Sequence, residues 1–505
     1  MVSRMERTLL LSQLAAEVPG ARVEAGGGYE VRRVVHDSRR AGPGDLFVAV
    51  PGLRVDGHDF AGQAASQGAA VAVEREVTLP AAAARLRLAD TRWGLGELAA
   101  ALHGRPARRL RVVGVTGTDG KTTVTHLVAH VLRSAGVPAG FLSTVAHDAG
   151  GAGEDNVSGQ TTMEAPEVQA WLARMVDAGS RVAVVETTSH ALLQGRVSAC
   201  DFDVAAVTNV GHDHLDYHGS WEEYVGAKGR LLELCAVAAP KGTPKTAVLN
   251  LQDASFPRLS AIPIERRLAY AVEEPADVCA ADVSAETSGS RFQLRHDGDQ
   301  APVRLALPAR FNVANALCAA AAALALGLTV EQAAAGLSSF RGVPGRLEPV
   351  DLGQPFRVYV DFAHSAGALA AALAELRPLT PGRLIAVFGS TGRSDHDRPG
   401  MGRAAARGAD FFVITTDDPV AEDPAEIARQ VASGAEDRRP GRDYEVELDR
   451  RAAIRLALAR ARPGDAVLLA GKGHERAMLT AADAEPWDER AEAEAALREL
   501  GFGRS

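Results

Sequence analysis

Cysteine is nearly absent from this chain. The 505 residues hold four, Cys200, Cys235, Cys279 and Cys318. No two stand at C-x-x-C spacing, which excludes the usual paired-thiol metal and redox sites; reduced structural thiols are expected. Long apolar runs are missing as well. The Ala-rich stretch Ala316 to Leu326 falls well short of the roughly 20 residues that cross a bilayer. Met1 to Leu11 carries neither the apolar core nor the cleavage site of a secretory signal, so a cytoplasmic location is expected. Basic excess is also lacking: Lys and Arg number 55 against 64 Asp and Glu, a net charge of −9. That balance argues against non-specific binding to nucleic acid or membrane. It leaves room for a local basic pocket that takes a small anion. There is no internal repeat and no low-complexity tail.

What is present is a β-α rhythm too long for one core. Three α/β blocks are expected, at 1–104, 105–341 and 342–505. In the first, the apolar runs Leu46 to Val50 and Ala70 to Val73 alternate with turn-rich segments, and Leu102 to Arg109 reads as a linker. In the second, Leu110–Val115, Val182–Val185 and Phe202–Thr208 are near-continuous Val- and Ala-rich runs, the pattern of buried parallel strands. An Ala-rich helix from Asn312 to Leu326 is stopped by Gly327, and the next is capped by Thr329 with Gln332 completing a capping box. In the third, strands are expected at Phe356–Val360, Leu384–Phe388, Phe411–Thr415 and Ala466–Leu469. Helices begin at Asp423-Pro424 and near Arg450, and residues 481–499 read as acidic helix. The alternation predicts an open parallel sheet with helices on both faces.

Chemistry gathers where strands end. The run Gly114-Val-Thr-Gly117-Thr118-Asp119-Gly120-Lys121-Thr122-Thr123 closes one strand and opens a helix. Glycines there let backbone N–H groups approach phosphate oxygens; Lys121 adds a point charge, and Thr122 can hold Mg2+. The strict pattern asks for glycine where Val115 stands. Glu186 ends a second strand, inside Glu186-Thr-Thr-Ser-His190. Asp213 and His214 follow a third. In open α/β sheets ligands sit at these carboxyl ends, and a carboxylate and imidazole beside a phosphate loop suit a metal–nucleotide complex. Taken singly, Glu186 could be a helix cap and the His/Asp cluster a polar loop.

The phosphate loop, Glu186-Thr-Thr-Ser-His190, Asp213-His214-Leu-Asp216-Tyr-His218-Gly219 and Gly226-Ala-Lys228 together resemble the Mur ligase family, over nearly the whole chain. The resemblance implies a UDP-binding N-terminal α/β module, a central P-loop ATPase-like parallel sheet and a Rossmann-like C-terminal domain. It implies an ATP-dependent amide ligase that activates the D-glutamate carboxylate of a UDP-linked muramoyl dipeptide as an acyl phosphate. Two Mg2+ ions are implied, one on Thr122 and Glu186, the other on His214 and Lys228, with Lys228 carrying a CO2-derived carbamate. Lys121, Lys228, Glu186 and His214 would be the catalytic set. Phe311-Asn312-Val-Ala-Asn315, Gly345-Arg346-Leu-Glu348 and Asp361-Phe362-Ala-His364 resemble further family elements, implying Asn312, Arg346, Asp361 and His364 as nucleotide contacts beside Gly117 to Thr123. Phe362 replaces the family's Tyr. Asp37-Ser38-Arg39 and Gly52-Leu-Arg-Val-Asp56-Gly57 resemble the UDP module, with Ser38 as the uridine-side contact. Thr161, Thr162, Thr188, Gln194 and Arg196 fall where the family grips its muramoyl substrate. A monomer is expected.

The incoming amino acid is read differently. The family's DNPR-like element is Asp417-Asp418-Pro419-Val420 here, so the arginine that pairs with a second carboxylate is gone and an extra acid is present. That pattern predicts L-lysine or L-ornithine rather than meso-diaminopimelate, which stays as the alternative. Arg398 is expected to hold the α-carboxylate, with Glu475, Gly471, Asp417 and Asp418 around the amine. Three other readings stay open: a folate polyglutamate ligase, a divergent relative conjugating another amino acid, and a non-enzymatic nucleotide-binding regulator.

Overall fold

The computed structural model describes residues 7–503, apart from 53–54, 152, 157, 159, 212, 214, 287–288, 308–309, 393–396 and 482; at 215–216 and 285–286 it describes the backbone alone. Two compact units emerge. One comprises Met1–Asp282, Gln293–Val303 and Ala314–Ser338; the other comprises Val283–Phe292, Arg304–Val313 and Ser339–Ser505.

The first unit holds two large sheets and a two-stranded ribbon, Leu9–Leu10 with Glu30–Val31. Strands Arg33–Val35, Asp45–Val48, Ala70–Val73 and Arg85–Arg87 run parallel, with Arg22–Ala25 antiparallel at one edge. Every residue of Asp45–Val48 and Ala70–Val73 is buried, which is why these short runs are apolar on both faces. The expected linker at 102–109 is packed structure instead. The helix Thr91–Leu102, capped by Asp90, runs into a 3-10 turn at Pro106–Arg109. Lys241 ties that turn down by donating to the carbonyls of Ala107 and Leu110.

The second sheet carries the site. Its parallel strands lie in the order Ala139–Leu142, Val182–Glu186, Arg111–Thr116, Val204–Val207, Thr246–Asn250, Arg266–Val272. Register sets Glu186 beside Val115 and Val207 beside Thr116, so three chain segments leave the sheet at one level. The strands Ala146–Asp148 and Glu154–Asp155 add antiparallel pairs at one edge, so the sheet is mixed rather than purely parallel. The short Ser143–Val145 connection leaves no room for a crossover helix, and only a hairpin fits. The expected capping box is present: Gln332 N–H donates to Thr329 Oγ1 at 3.3 Å and Thr329 N–H to Gln332 Oε1 at 3.0 Å. Thr329→Ala is therefore expected to cost about 1 kcal/mol in urea unfolding.

The second unit holds a six-stranded sheet, in the order Glu348–Pro349, Arg357–Asp361, Ala466–Ala470, Leu384–Phe388, Phe411–Ile414, Tyr444–Val446; all but the first pair are parallel. Helices Ala366–Leu376, Arg398–Gly408, Pro424–Ala432 and Arg450–Arg460 cover it. The expected helix at 481–499 is shorter. Pro486 biases Glu485 toward extended backbone, Ala484–Pro486 forms a strand, and the helix begins only at Glu489 after its Asp488 cap. Among the described residues no helix is long and apolar enough to cross a membrane. All four cysteines are free.

Candidate active site

The loop after strand Arg111–Thr116 turns into the helix Lys121–Ser134. Two of its glycines are required by space and by backbone. Gly117 (φ +153°) would set a Cβ 1.8 Å from the Thr208 hydroxyl, and Gly120 (φ +79°) one 2.3 Å from Asn315 Oδ1. Lys121 Nζ donates to the carbonyls of Gly117 at 3.1 Å and Thr118 at 2.7 Å. Thr122 and Thr123 are buried in the first helical turn. The sequence reading turned the whole loop toward phosphate. In the structure the N–H groups of Thr118 and Asp119 point to Asn209 instead. The first turn of the helix remains the anion-facing end, since its N–H groups have no intrahelical acceptors.

Glu186 is buried at the neighbouring strand end. Its Oε1 accepts from Thr122 Oγ1 and Thr144 Oγ1, each at 2.9 Å, and its Oε2 from Thr144 N–H at 2.8 Å. Two hydroxyls and a carboxylate thus converge, hard oxygen donors that fit Mg2+. Thr144 escaped the sequence reading although it lies just past strand Ala139–Leu142, in the same row of strand ends that exposed Glu186. Lys228, on the helix Trp221–Val237, is 1% exposed. Its Nζ donates to Gly117 O at 2.6 Å and sits 4.2 Å from the centre of the Tyr224 ring. Burial, and then the Lys121 charge, hold its amine well below the ordinary lysine range. His214 lies outside the described residues; its neighbour Asp213 lines the cleft.

That cleft brings together Lys121, Lys228, Thr161, Thr162, Thr188, Gln194 and Arg196. Much of their polar capacity shapes the cleft itself. Thr162 Oγ1 donates to Glu186 O at 2.9 Å and accepts from Thr188 N–H at 3.1 Å, while the Thr188 hydroxyl caps the short helix Ser189–Leu193. Arg196 is fixed by Gln194 Oε1, by the Thr162 carbonyl and by Glu164 at 3.0 Å. Ser38 sits elsewhere, in the 3-10 turn Ser38–Arg40 of the first sheet. Asp37 caps that turn, and the hydrogen bond from Arg39 holds its carboxyl at about 2.

In the second unit, Asp361 accepts from the N–H groups of Leu347 at 2.7 Å and Ala363 at 2.9 Å. Burial raises its pKa. Its carboxylate therefore builds the turn that presents Arg346, whose guanidinium lies 5.1 Å from the centre of the Phe362 ring. Phe362 also packs against His364 and His474, contacts that need no hydroxyl. His364 pairs through Nδ1 with Phe362 O, at 2.8 Å. Asn312 is buried in the first turn of the helix Arg310–Ala325.

The expected amino-acid residues do gather. Asp417, Asp418 and Glu475 surround Lys472, whose Nζ lies 2.7 Å from Asp418 Oδ1, 2.6 Å from Glu475 Oε2 and 3.9 Å from Asp417 Oδ1. Burial pulls the Lys472 ammonium down, and the three carboxylates more than offset it. The extra acid that the sequence reading offered to a cationic side chain, Asp418, is thus already spent on Lys472 and on Leu479 N–H at 2.8 Å. Lys472 itself was missed, although it stands inside Gly471-Lys-Gly-His-Glu475. Asp417 is buried, and burial, opposed by Arg450 and Lys472, lifts its pKa to about 6. Gly471 (φ +113°) lets the chain pass Asp417 closely. Arg398 was expected to hold a substrate carboxylate. Here Glu422 fills its fork at 2.9 and 2.8 Å, with Gln430 and the Thr391 carbonyl beside it.

Comparison with known proteins agrees with this geometry. Residues 30–102 match the model described as Mur ligase family, catalytic domain; 115–323 match Mur ligase middle domain; 345–473 match Mur ligase, glutamate ligase domain. A UDP-N-acetylmuramyl-tripeptide synthetase of Roseiflexus is 45% identical, over 94% of this chain and 96% of its own length. A UDP-N-acetylmuramoyl-L-alanyl-D-glutamate–2,6-diaminopimelate ligase of Geobacillus thermodenitrificans is 40% identical, over 97% and 99%. The solved structure of another UDP-N-acetylmuramoyl-L-alanyl-D-glutamate–2,6-diaminopimelate ligase superposes with a TM-score of 0.69 at 29% identity, covering 98% of this chain and 99% of the other. Matches of this extent, over nearly the full length of both chains, show that this chain belongs to the Mur ligase family and is an ATP-dependent ligase.

Proposed function

We propose that this ligase joins a diamino acid, as the third residue, to the D-glutamate carboxylate of UDP-N-acetylmuramoyl-L-alanyl-D-glutamate. The observation that carries the reading is the cleft lined by the phosphate loop, Lys228 and Arg196, with Glu186 bonded to Thr122 at the start of the helix that follows that loop. The first turn of helix Lys121–Ser134 and the Lys121 ammonium hold the ATP phosphates. Arg196 and the threonines orient the anionic UDP-linked substrate. The γ-phosphoryl passes from ATP to a D-glutamate carboxylate oxygen, giving ADP and an acyl phosphate. The amine of the incoming amino acid then attacks the acyl carbon. Phosphate leaves, and the amine gives up a proton. No protein nucleophile is needed, because positioning and charge supply the rate.

Mg2+ on Thr122, Thr144 and Glu186 would offset phosphoryl charge. Lys228 suits a carbamate: burial favours its neutral amine, which can form an N–C bond to CO2 with loss of a proton. His214 and that carbamate are proposed as the second Mg2+ site. The domain boundaries near 104 and 341 are supported by the division of the three large sheets, of five, eleven and six strands. A monomer working in the cytoplasm is proposed with them, since ATP is the co-substrate.

meso-Diaminopimelate is the incoming amino acid that the full-length relatives support, because those whose names specify one name it. One observation favours the second reading, lysine or ornithine: Val420 stands where the family's carboxylate-reading arginine would be. Leaving a distal carboxylate unpaired costs roughly 1–3 kcal/mol, or about 5- to 160-fold in kcat/KM. Phosphate release with ATP, Mg2+ and the UDP-linked dipeptide, run separately with diaminopimelate, lysine and ornithine, tests both. Turnover at least tenfold higher with diaminopimelate supports the first. The reverse supports the second, and silence with all three overturns the third-residue reading.

A further inference from the structure

The phosphate loop is one glycine short of the strict pattern, because Val115 is a buried strand residue. Its shape is held from the neighbouring strand. Beyond Val207, Asn209 meets Asp119 with both ends of its side-chain amide: Oδ1 accepts from Asp119 N–H at 3.0 Å and Nδ2 donates to Asp119 O at 3.2 Å. The Asn209 carbonyl accepts from Thr118 N–H at 2.9 Å, and the Thr208 hydroxyl donates to Asp119 O at 2.5 Å. The bracket is itself anchored. Thr208 O accepts from Asn250 Nδ2 at 3.2 Å and Tyr270 OH at 2.9 Å, and Val210 N–H donates to Asp253 at 3.1 Å.

We infer that Asn209 is a positioning residue of the nucleotide site. It occupies the N–H groups of residues 118 and 119 and so turns them away from phosphate. The anion is left to the helix N-terminus and Lys121. An amide of this length is needed, since it presents an acceptor to the N–H and a donor to the C=O of one residue, Asp119. An aspartate in its place would press a lone pair against the Asp119 carbonyl. Asn209 does not touch the reacting atoms; it fixes where the loop does.

The test is Asn209→Asp, with Asn209→Ala read beside it in case the charged variant misfolds. ADP binding with Mg2+ is measured by calorimetry, and steady-state kinetics are run with ATP varied and the UDP-linked substrate varied. Loop misplacement of the order of 1 Å costs about 10²-fold. The expected result is roughly 30- to 100-fold weaker ADP binding and an equal loss in kcat/KM for ATP. The KM for the UDP-linked substrate should stay within about threefold and the thermal midpoint should be nearly unchanged. Thr208→Ser, which keeps the second hydroxyl donor, should stay close to wild type. ADP affinity within threefold of wild type in both variants overturns the inference. So does a uniform loss toward both substrates accompanied by a lower midpoint, the mark of a merely structural residue. ADP binding needs no amino acid or muramoyl substrate, so failure of the third-residue reading would leave this result standing.

Discussion

Lys228→Met lowers the ligation rate about 10³-fold and leaves the fold no less stable. The two halves of this expectation have one cause. Lys228 Nζ is buried with a single hydrogen bond among the described residues, to Gly117 O, and a Tyr224 ring beside it. An amine so placed costs stability, and an unbranched apolar side chain of similar length removes that cost. The same burial favours the neutral amine and, under the proposed function, its reaction with CO2. Losing the resulting anion removes one of the groups arranged around the transferring phosphoryl. A preorganised electrostatic group of this kind contributes about 10²–10³ in rate. Initial rates of phosphate release and a thermal unfolding curve, taken on the same preparation, check both halves. Activity within tenfold of wild type would show that Lys228 is a core residue and no more.

The site was legible wherever one strand end carries its own chemistry. Lys121, Thr122 and Glu186 stand at strand ends that the sequence pattern singled out, and register brings those strand ends to one level; Lys228, on a helix, was marked only by the family resemblance. Thr144 and Asn209 were not legible, because a threonine or an asparagine after a strand is ordinary turn chemistry in a sequence. Only the fold shows that both side chains are aimed at another loop. The same gap misled the reading of the second unit. A sequence shows Asp418 as an added negative charge; it does not show Lys472, 54 residues away along the chain, neutralising it. Nor does it show Glu422 in the fork of Arg398. Element boundaries followed a similar rule. Apolar runs located the central strands within a residue or two, whereas the 102–109 segment was misread because its packing depends on Lys241, far along the chain.

Asp417→Asn is expected to stabilise the second unit at neutral pH while impairing ligation. Asp417 is fully buried, Oδ2 has no hydrogen-bond partner among the described residues, and burial lifts the folded-state pKa from 3.8 to about 6. The sign follows from which state ionises first. Below pH 3.8 the carboxyl is neutral in both states and costs nothing. Between about 4 and 6 the unfolded chain ionises while the folded one resists, so stability falls as pH rises through that window. Above it the loss is complete. The gap from 3.8 to about 6, at 1.36 kcal/mol per pH unit, amounts to roughly 3 kcal/mol. Asparagine has nearly the same shape and never ionises. Its advantage over wild type should therefore grow from about 1.5 kcal/mol at pH 5 to about 3 kcal/mol at pH 8 in urea unfolding. Asp417 also faces Lys472 across 3.9 Å, within the cluster proposed to receive the amino acid's amine. Removing its charge should raise the KM for the amino acid about tenfold or more, with the KM for ATP unchanged. A variant less stable than wild type at pH 8 would show that the Arg450 and Lys472 cations hold Asp417 ionised at little cost. The burial argument would then fail. A KM that does not move would detach Asp417 from the amino-acid pocket and leave Glu475 as its carboxylate.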